Sequence, residues 1–235
     1  MNSQTGNRST LPDEPSFPFW LRIGFWICIV IAVTVVLRRV IALAYPPRSA
    51  PPQLAALDEV FASHATLTLA HILPALAFVV IVPFVYIRRN TQWTEKVLFP
   101  LGLTVGITAY AMSAYAVGGW VERSAVLFFN SLFLFSLVYA WRERGDQQLK
   151  MQWLTRAIAV LLGIATTRPV MGIFFATSRL THLEPKQFFG IAFWIGFSIN
   201  TVIVELWLRS SLRFRSNRRT SSLSHADVSA TPPRA

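Results

Sequence analysis

The sequence predicts an all-α polytopic membrane protein whose helices form a six-helix transmembrane bundle. Hydrophobic residues make up 53% of the chain and charged residues only 14%, a composition far from that of soluble domains. Six apolar stretches also approach the roughly 20 residues that a helix needs to cross a bilayer core. These stretches are Phe19–Leu37, Thr66–Ile87, Val97–Val117, Ser124–Trp141, Trp153–Phe175 and Phe188–Leu208. They take up more than half of the chain, so the sequence indicates no separate soluble domain.

The first span is predicted to extend as a helix over residues 19–44, beyond the end of its apolar stretch. Arg38 and Arg39 interrupt the apolar pattern there, and we interpret them as long side chains that reach the membrane surface. We expect residues 1–18 before this span to be disordered. Residues 45–65 after it contain two Pro-Pro pairs and are predicted to form an outer loop that ends in a short helix entering the second span.

Residues 66–208 contain the other five spans and form a predicted five-helix transmembrane core. The third span carries small side chains at helical spacing, namely Gly102, Gly106, Ala109, Ser113 and Ala116. Because helices in lipid associate through close contact of small residues, this stripe predicts a central, closely packed helix. After Leu208 the composition shifts to Ser, Arg, Thr and Pro, which predicts a basic, disordered cytoplasmic tail over residues 209–235.

Lys and Arg are distributed unevenly between the two sets of loops, and this bias predicts the orientation of the bundle. Thirteen of them lie on the side of the N-terminus and six on the opposite side. Both termini are therefore predicted to be cytoplasmic, in a cell membrane that we take to be the bacterial inner membrane. The loops and tail explain the net charge of +11, so no nucleic-acid partner is inferred. The tail arginines favour membrane lipid as a partner, by about 1 kcal/mol each for anionic lipid.

Two charged residues are predicted to pair near the cytoplasmic ends of the last two spans. The fifth span runs outward and the sixth runs inward, which brings Arg156 and Glu205 to the same depth. Charged side chains inside a membrane pair with one another or face a water-filled cavity. We therefore predict a structural ion pair between these two side chains, with an approach within about 4 Å.

Another arginine, Arg168, lies about two-thirds of the way toward the outer face in the fifth span, within the sequence TTRPVMG. An unpaired arginine in mid-membrane costs on the order of 2.5–3.5 kcal/mol, so it should face the bundle or a wet cavity. The candidate neighbours His71, Asn130 and Asn200 form, with Arg168, the hypothetical ligand-binding residues. The arginine either holds an anionic group of a ligand or only ties helices together through Asn side chains and backbone carbonyls.

The remaining motifs indicate no catalytic residues and no metal site. His64 and His71 lie on one helix face but roughly 10.5 Å apart along it, which is too far for one metal ion whose nitrogen ligands lie about 2 Å away. The sequence contains no glycine-rich phosphate loop, no Cys-x-x-Cys and no paired carboxylates within a span. A non-enzymatic role is therefore favoured over an enzymatic one.

Several short motifs together resemble the prokaryotic membrane proteins grouped as domain of unknown function 2306. These motifs are His71 early in the second span, RERGD at 142–146 followed by Trp153 and Arg156, Arg168 in the fifth span, and NTVIVELWLR at 200–209. The resemblance covers about residues 60–209. It implies a fold and a membrane location rather than a reaction, because the family has no established activity.

The family typically carries two further histidines, which invites comparison with two-haem cytochromes of the b561 type. In this chain the corresponding positions are held by Thr94-Glu95 and by Lys150. His71 is then the only histidine buried in a span, and an axial ligand from a second helix is missing. The departure from the family pattern disfavours haem b and predicts that the chain holds no cofactor.

Taken together, these features favour a non-enzymatic integral membrane protein that binds a small or lipidic ligand around Arg168 and His71. Within the same non-enzymatic hypothesis, the chain could instead act as a structural partner of another membrane protein. A b561-like haem or quinone electron carrier is the alternative, and a small-molecule transporter ranks below it. The breaks at Pro74, Pro83 and Pro169 are compatible with an internal cavity in any of these cases.

Overall fold

The chain is helical throughout most of the part that the computed structural model describes, residues 18–45, 59–87, 92–181 and 185–229. Those ranges contain six long helices and no strand, which confirms the all-α prediction. The helices are α1 Phe19–Ala44, α2 Ala65–Ile87, α3 Gln92–Ser113, α4 Gly119–Arg142, α5 Gln147–Thr181 and α6 Pro185–Ser229. The predicted short helix before the second span is present at residues 59–63. All six long helices are long and apolar enough to cross a membrane, as expected of an integral membrane protein.

Five of the six helices begin earlier than their apolar stretches, and α4 and α5 illustrate the reason. The Asp146 carboxylate accepts hydrogen bonds from the backbone N–H groups of Gln148, at 2.8 Å, and Leu149, at 3.0 Å, and so caps the start of α5. α4 begins at Gly119, whose φ of +62° is a left-handed conformation that glycine adopts readily. Because both helices begin with turns that include charged or polar side chains, hydropathy alone places these helix starts too late.

α6 continues past the apolar stretch that ends at Leu208. Its backbone is helical to Ser229, which corrects the prediction of a disordered tail for residues 209–229. No Pro or Gly occurs in that range, so no residue there breaks the helical hydrogen bonding. The parts of the predicted N-terminal segment, outer loop and tail at 1–17, 46–58 and 230–235 lie outside the described residues.

Helices α1 to α5 form a closed ring in which each helix packs against the next and α5 returns to α1. α6 lies outside this ring and packs along both α4 and α5. Those two helices therefore hold the central positions, and the prediction of a central third span, α3, is wrong. We call the end of the bundle with the α3–α4 connection, residues 114–118, the Gly118 end. The opposite end, with residues 143–146, is the Asp146 end.

The outward faces of the helices are apolar. Val30, Phe128 and Ile173 are each more than half exposed, at 62%, 55% and 65%. Phe78 and Phe133, by contrast, are almost completely buried inside the bundle. Large apolar side chains thus occur both on the outward faces and inside the bundle. This pattern fits helices surrounded by lipid, because lipid chains are as apolar as the protein interior and do not drive apolar side chains inward.

Glycines allow the closest approaches between helices. A Cβ atom on Gly102 would lie 2.7 Å from the Leu137 side chain, and one on Gly106 would meet Leu134. The small stripe on α3 is thus packed closely against α4, as its spacing predicted. Between α5 and α6, a Cβ atom on Gly163 would lie 2.6 Å from the ring of Phe197.

Gly196→Ala is expected to destabilise the protein by about 2 kcal/mol, a typical cost of overpacking. The added Cβ would lie 2.6 Å from the backbone N of Thr167 and 2.7 Å from its Cα, and backbone atoms cannot turn aside. Gly172→Ala on α5 is the matched control, because a Cβ there meets nothing within 4 Å. Thermal unfolding in detergent compares the two variants. Equal loss of stability in both would contradict the close contact of α5 with α6.

Candidate ligand-binding site

A cavity of about 250 Å³ lies between the helices and is lined by side chains from all six long helices. Along α4 its wall extends from Glu122 to Phe133, a length of about 17 Å at the rise of an α-helix. Most of the wall is apolar, and the charged residues that the described part of the chain contributes to it are Arg39, Glu122 and Arg168. The predicted intramembrane arginine therefore faces a cavity and not the lipid.

Arg168 has no partner for its charge among the described residues. Its Nε atom is buried without a hydrogen-bond partner, and its Nη1 lies 3.9 Å from the Met171 sulfur, which is a weak acceptor. The ion pairs in the described part of the chain do not involve it. This geometry gives no support to the interpretation that Arg168 ties helices together through Asn side chains and backbone carbonyls.

Glu122 is a cavity residue that sequence reasoning missed. Its residue is 8% exposed, and its Oε2 accepts a hydrogen bond from the backbone N–H of Gly118 at 2.5 Å. The carboxylate thus reaches back over the first turn of α4, where the helix dipole also favours negative charge. The apolar stretch begins only at Ser124, so Glu122 is easily read as part of a loop. The glycine pair ahead of it is the one sequence signal for an earlier helix start.

Arg39 and Arg38 lie near enough to Arg168 for their like charges to act on it, and so does Glu122 with the opposite charge. Arg39 lies at the same cavity, with its guanidinium carbon 4.1 Å from the ring centre of Phe61. Among the described residues, the cavity wall thus places Arg168 together with a second arginine and one carboxylate.

Arg168 lies deeper in the bundle than Glu122. On α6, Gly190 packs against the backbone of Glu122, whereas Gly196 packs against Thr167, the residue before Arg168. The stretch of α6 between these two glycines corresponds to about 9 Å. This offset along the bundle explains why the opposite charges of Glu122 and Arg168 do not form an ion pair.

His71 is held in the cavity wall by a hydrogen bond to α3. Its Nδ1 lies 3.0 Å from Thr108 Oγ1, and that hydroxyl donates to the carbonyl of Thr104 at 2.7 Å. The Val105 backbone is a further hydrogen-bond partner of His71. His71 is therefore held against α3, whereas Arg168 suits an anionic group of a ligand.

The two asparagines differ in position. Asn130 lines the cavity, but its Nδ2 donates to the carbonyl of Gly106 at 2.9 Å and joins α4 to α3. Asn200 lies outside the cavity wall, and its Oδ1 accepts from Thr166 Oγ1 at 2.8 Å. Thr166 Oγ1 is in turn 3.8 Å from the sulfur of Cys28. The structure thus brings three of the four predicted site residues to the cavity and leaves Asn200 as a link between α1, α5 and α6.

His64, the other histidine near the start of α2, has its own neighbours. Its ring centre lies 3.7 Å from that of Tyr115, and its Nδ1 lies 3.0 Å from Ser63 Oγ. Within the described ranges, no three His, Cys, Asp or Glu side chains come together as metal ligands would. His64 and His71 therefore line the cavity with separate partners.

The predicted ion pair lies toward the Asp146 end, outside the cavity wall. Arg156 Nε donates to Glu205 Oε2 at 2.8 Å, as the shared depth of the two residues predicted. Glu205 Oε1 also accepts from Arg209 Nε at 2.8 Å, one turn further along α6. The guanidinium carbon of Arg156 lies 4.6 Å from the ring centre of Trp153. One carboxylate thus serves two arginines, and sequence reasoning found only the first.

Comparison of the chain with models of protein families, with curated proteins and with solved structures finds no match. The resemblance to domain of unknown function 2306 therefore stays a prediction. The basis for a functional proposal is the site itself, which combines an apolar cavity with a buried arginine whose Nε has no hydrogen-bond partner among the described residues.

Proposed function

We propose that this chain is an integral membrane protein that binds a small or lipidic ligand through an anionic group of that ligand. The main observation in its favour is that the buried Nε of Arg168, beside an apolar cavity, has no hydrogen-bond partner in the described part of the chain. A helix tie would instead use the donors of the guanidinium on neighbouring side chains or carbonyls. A ligand anion in the cavity would supply the missing acceptor.

The energetics favour such a ligand. A guanidinium in mid-membrane costs on the order of 2.5–3.5 kcal/mol even on the mildest scale. A carboxylate or phosphate oxygen would offset that cost through charge-assisted hydrogen bonds, which contribute about 1.5–3 kcal/mol each. The apolar wall strengthens these interactions, because electrostatic attraction is larger in a medium of low dielectric constant.

The proposed ligand should accompany the protein through purification in mild detergent. Extracts of the wild-type protein are expected to contain an anionic compound in near-stoichiometric amount, and extracts of Arg168→Met to lack it, as measured by mass spectrometry. Arg123→Met is the matched control. It removes the same charge at the Gly118 end, but Arg123 lies over the ring of Trp120, 5.1 Å from its centre, and not in the cavity wall. Identical extracts from all three proteins would count against the proposal.

An absorbance spectrum of the same preparations separates ligand binding from the electron-carrier alternative. We expect no haem bands in protein from cells supplied with haem precursor, because His64 and His71 belong to one segment of chain and cannot approach a macrocycle from opposite faces. A stoichiometric haem signal that disappears in His71→Ala would make electron transfer the better assignment.

We further propose that the protein lies in a bacterial inner membrane with both termini cytoplasmic, on the basis of the Lys and Arg bias between its loops. The Gly118 end would then face outward. Cys28 is the single cysteine, so a Cys28→Ala background permits labelling at chosen sites. Ala114 and Gly145 are both exposed, at opposite ends of the bundle.

A membrane-impermeant thiol reagent added to intact cells should therefore label Ala114→Cys at once. Gly145→Cys should become accessible only after the cells are permeabilised. Both variants are made in the Cys28→Ala background, and the background protein alone is the control for non-specific labelling. Labelling of Gly145→Cys but not Ala114→Cys in intact cells would reverse the proposed orientation.

A further inference from the structure

We infer that the ligand reaches the cavity from the lipid bilayer, between α1 and α5, and that α1 is the wall that moves to admit it. This inference rests on the proposed function and adds the source and the route of its ligand. Three observations support it: the position of α1 between cavity and lipid, the loose packing of α1, and the place where α1 meets α5.

α1 has the cavity on one side and an apolar outward face on the other. Four residues at helical spacing on its inner face line the cavity, namely Ala32, Val35, Val36 and Arg39. On its outer face, Val30 and Ile41 are 62% and 60% exposed. Because that outward face is apolar, movement of α1 away from the bundle would open the cavity to lipid chains rather than to water.

α1 is also the least buried of the six long helices. Only Ile29 and Ala32 of its 26 residues are buried, whereas α4 buries eight of its 24. The close glycine contacts in the described part of the chain join α3 to α4, α4 to α6 and α5 to α6, but a Cβ atom on Gly24 of α1 would meet nothing within 4 Å. Since helices in lipid associate through close packing, α1 is the helix that separates from its neighbours at the lowest cost.

Aromatic contacts hold α1 on the side of α2. The ring of Phe25 packs edge-on against that of Tyr86 in α2, with the ring centres 5.8 Å apart. Near the other end of α1, the guanidinium carbon of Arg39 lies 4.1 Å from the ring centre of Phe61, in the short helix before α2. These contacts at both ends of α1 make its α2 side the hinge of the movement.

The contact of α1 with α5 is weaker and lies close to Arg168. Cys28 Sγ lies 3.8 Å from Thr166 Oγ1, and sulfur is both a weak donor and a weak acceptor. Thr166 precedes Arg168 by two residues on α5, a rise of about 3 Å. An opening between α1 and α5 would therefore admit a ligand from the bilayer at the level of the arginine that binds its anionic group.

The rate at which a bound probe is released measures how often α1 opens. Dodecanoate is a simple probe, because it carries an anionic group on an apolar chain. Radiolabelled dodecanoate is bound to purified protein in phosphatidylcholine nanodiscs, and its release is followed after excess unlabelled dodecanoate is added. Discs that contain Arg168→Met give the background of probe dissolved in the lipid, so the difference reports binding that depends on Arg168.

Loosening α1 should speed release. Ile29→Ala should raise the release rate about tenfold, because it removes packing from one of the two buried residues of α1 and so makes separation of the helix less costly. Val30→Ala is the matched control on the adjacent residue and should leave the rate unchanged, since Val30 is 62% exposed. Neither residue lines the cavity, so both variants keep the wall that contacts the probe.

Joining α1 to α5 should slow release. Thr166→Cys places a second thiol beside Cys28, the single native cysteine, within reach of a disulfide after a small side-chain movement. Oxidised Thr166→Cys loaded with probe should release it at least tenfold more slowly than the reduced form of the same protein. Wild-type protein treated with the same oxidant controls for effects of the oxidant itself.

The outcomes separate this inference from the proposed function. Equal release from oxidised and reduced Thr166→Cys, with the disulfide verified by mass spectrometry, would overturn entry between α1 and α5 while binding at Arg168 persisted. If no disulfide forms, the comparison of Ile29→Ala with Val30→Ala decides, and equal rates in those two would overturn the inference. Absence of any dodecanoate binding that depends on Arg168 would count against the proposed function as well.

Discussion

Glu205→Gln is expected to lower the free energy of unfolding by about 3 kcal/mol, because it leaves a partly buried arginine without its counter-charge. The Arg156 side chain is only 22% exposed, and its Nε donates to Glu205 at 2.8 Å. The loss should be measured by thermal or denaturant unfolding in detergent. Arg156→Gln should cost less, since Glu205 would keep Arg209 as a partner at 2.8 Å.

Two further variants isolate the pair. Arg209→Gln should lower stability by no more than about 0.5 kcal/mol, as is usual for an exposed pair one turn apart on a helix, because the Arg209 side chain is 68% exposed. The charge exchange Arg156→Glu with Glu205→Arg should recover part of the loss. A double variant no more stable than the worse of Arg156→Glu and Glu205→Arg alone would show that the pair does not stabilise the protein.

Arg168→Met is expected to act in the opposite direction on the ligand-free protein and to raise its stability by about 2 kcal/mol. The substitution removes a charge whose burial in the membrane is unfavourable and replaces it with a flexible apolar side chain that can fill part of the cavity. A residue that ties helices together would behave differently, since its removal would destabilise the bundle. Thermal unfolding of delipidated protein distinguishes an arginine that binds a ligand from one that ties helices together.

The same variant should lose its response to ligand. A ligand at 100 times its dissociation constant stabilises a protein by about 2.7 kcal/mol, so dodecanoate should raise the melting temperature of the wild type and leave Arg168→Met unchanged. Arg123→Met serves as the control and should resemble the wild type in both respects. Destabilisation by Arg168→Met, with an unchanged response to dodecanoate, would assign the arginine a structural role.

The sequence was sufficient to predict the parts of the fold that depend on local hydropathy and on depth in the membrane. Six apolar stretches identify the six spans, and antiparallel neighbours bring Arg156 and Glu205 to one level. Helix starts were less predictable. The first turn of α4 includes the charged residue Glu122, so it falls outside the apolar stretch from which the span was predicted. The ring of α1 to α5 could not be predicted from the sequence, because hydropathy does not indicate which spans pack against one another.

The candidate site was predicted in part for the same reason. His71, Asn130 and Arg168 face one cavity, but Asn200 instead bonds Thr166 at 2.8 Å, because depth alone does not specify the side of a helix. Nor could sequence reasoning show that Arg168 forms no ion pair within the described ranges. That property depends on the spacing of Gly190 and Gly196, which sets Arg168 apart from Glu122 along the bundle.

A high-resolution density map of the protein in lipid nanodiscs would show what the Arg168 guanidinium binds. We expect non-protein density in the cavity, with its polar end about 3 Å from the guanidinium. The contradictory result would be a guanidinium bound to a protein carboxylate or carbonyl, with the cavity closed by side chains or occupied by water alone.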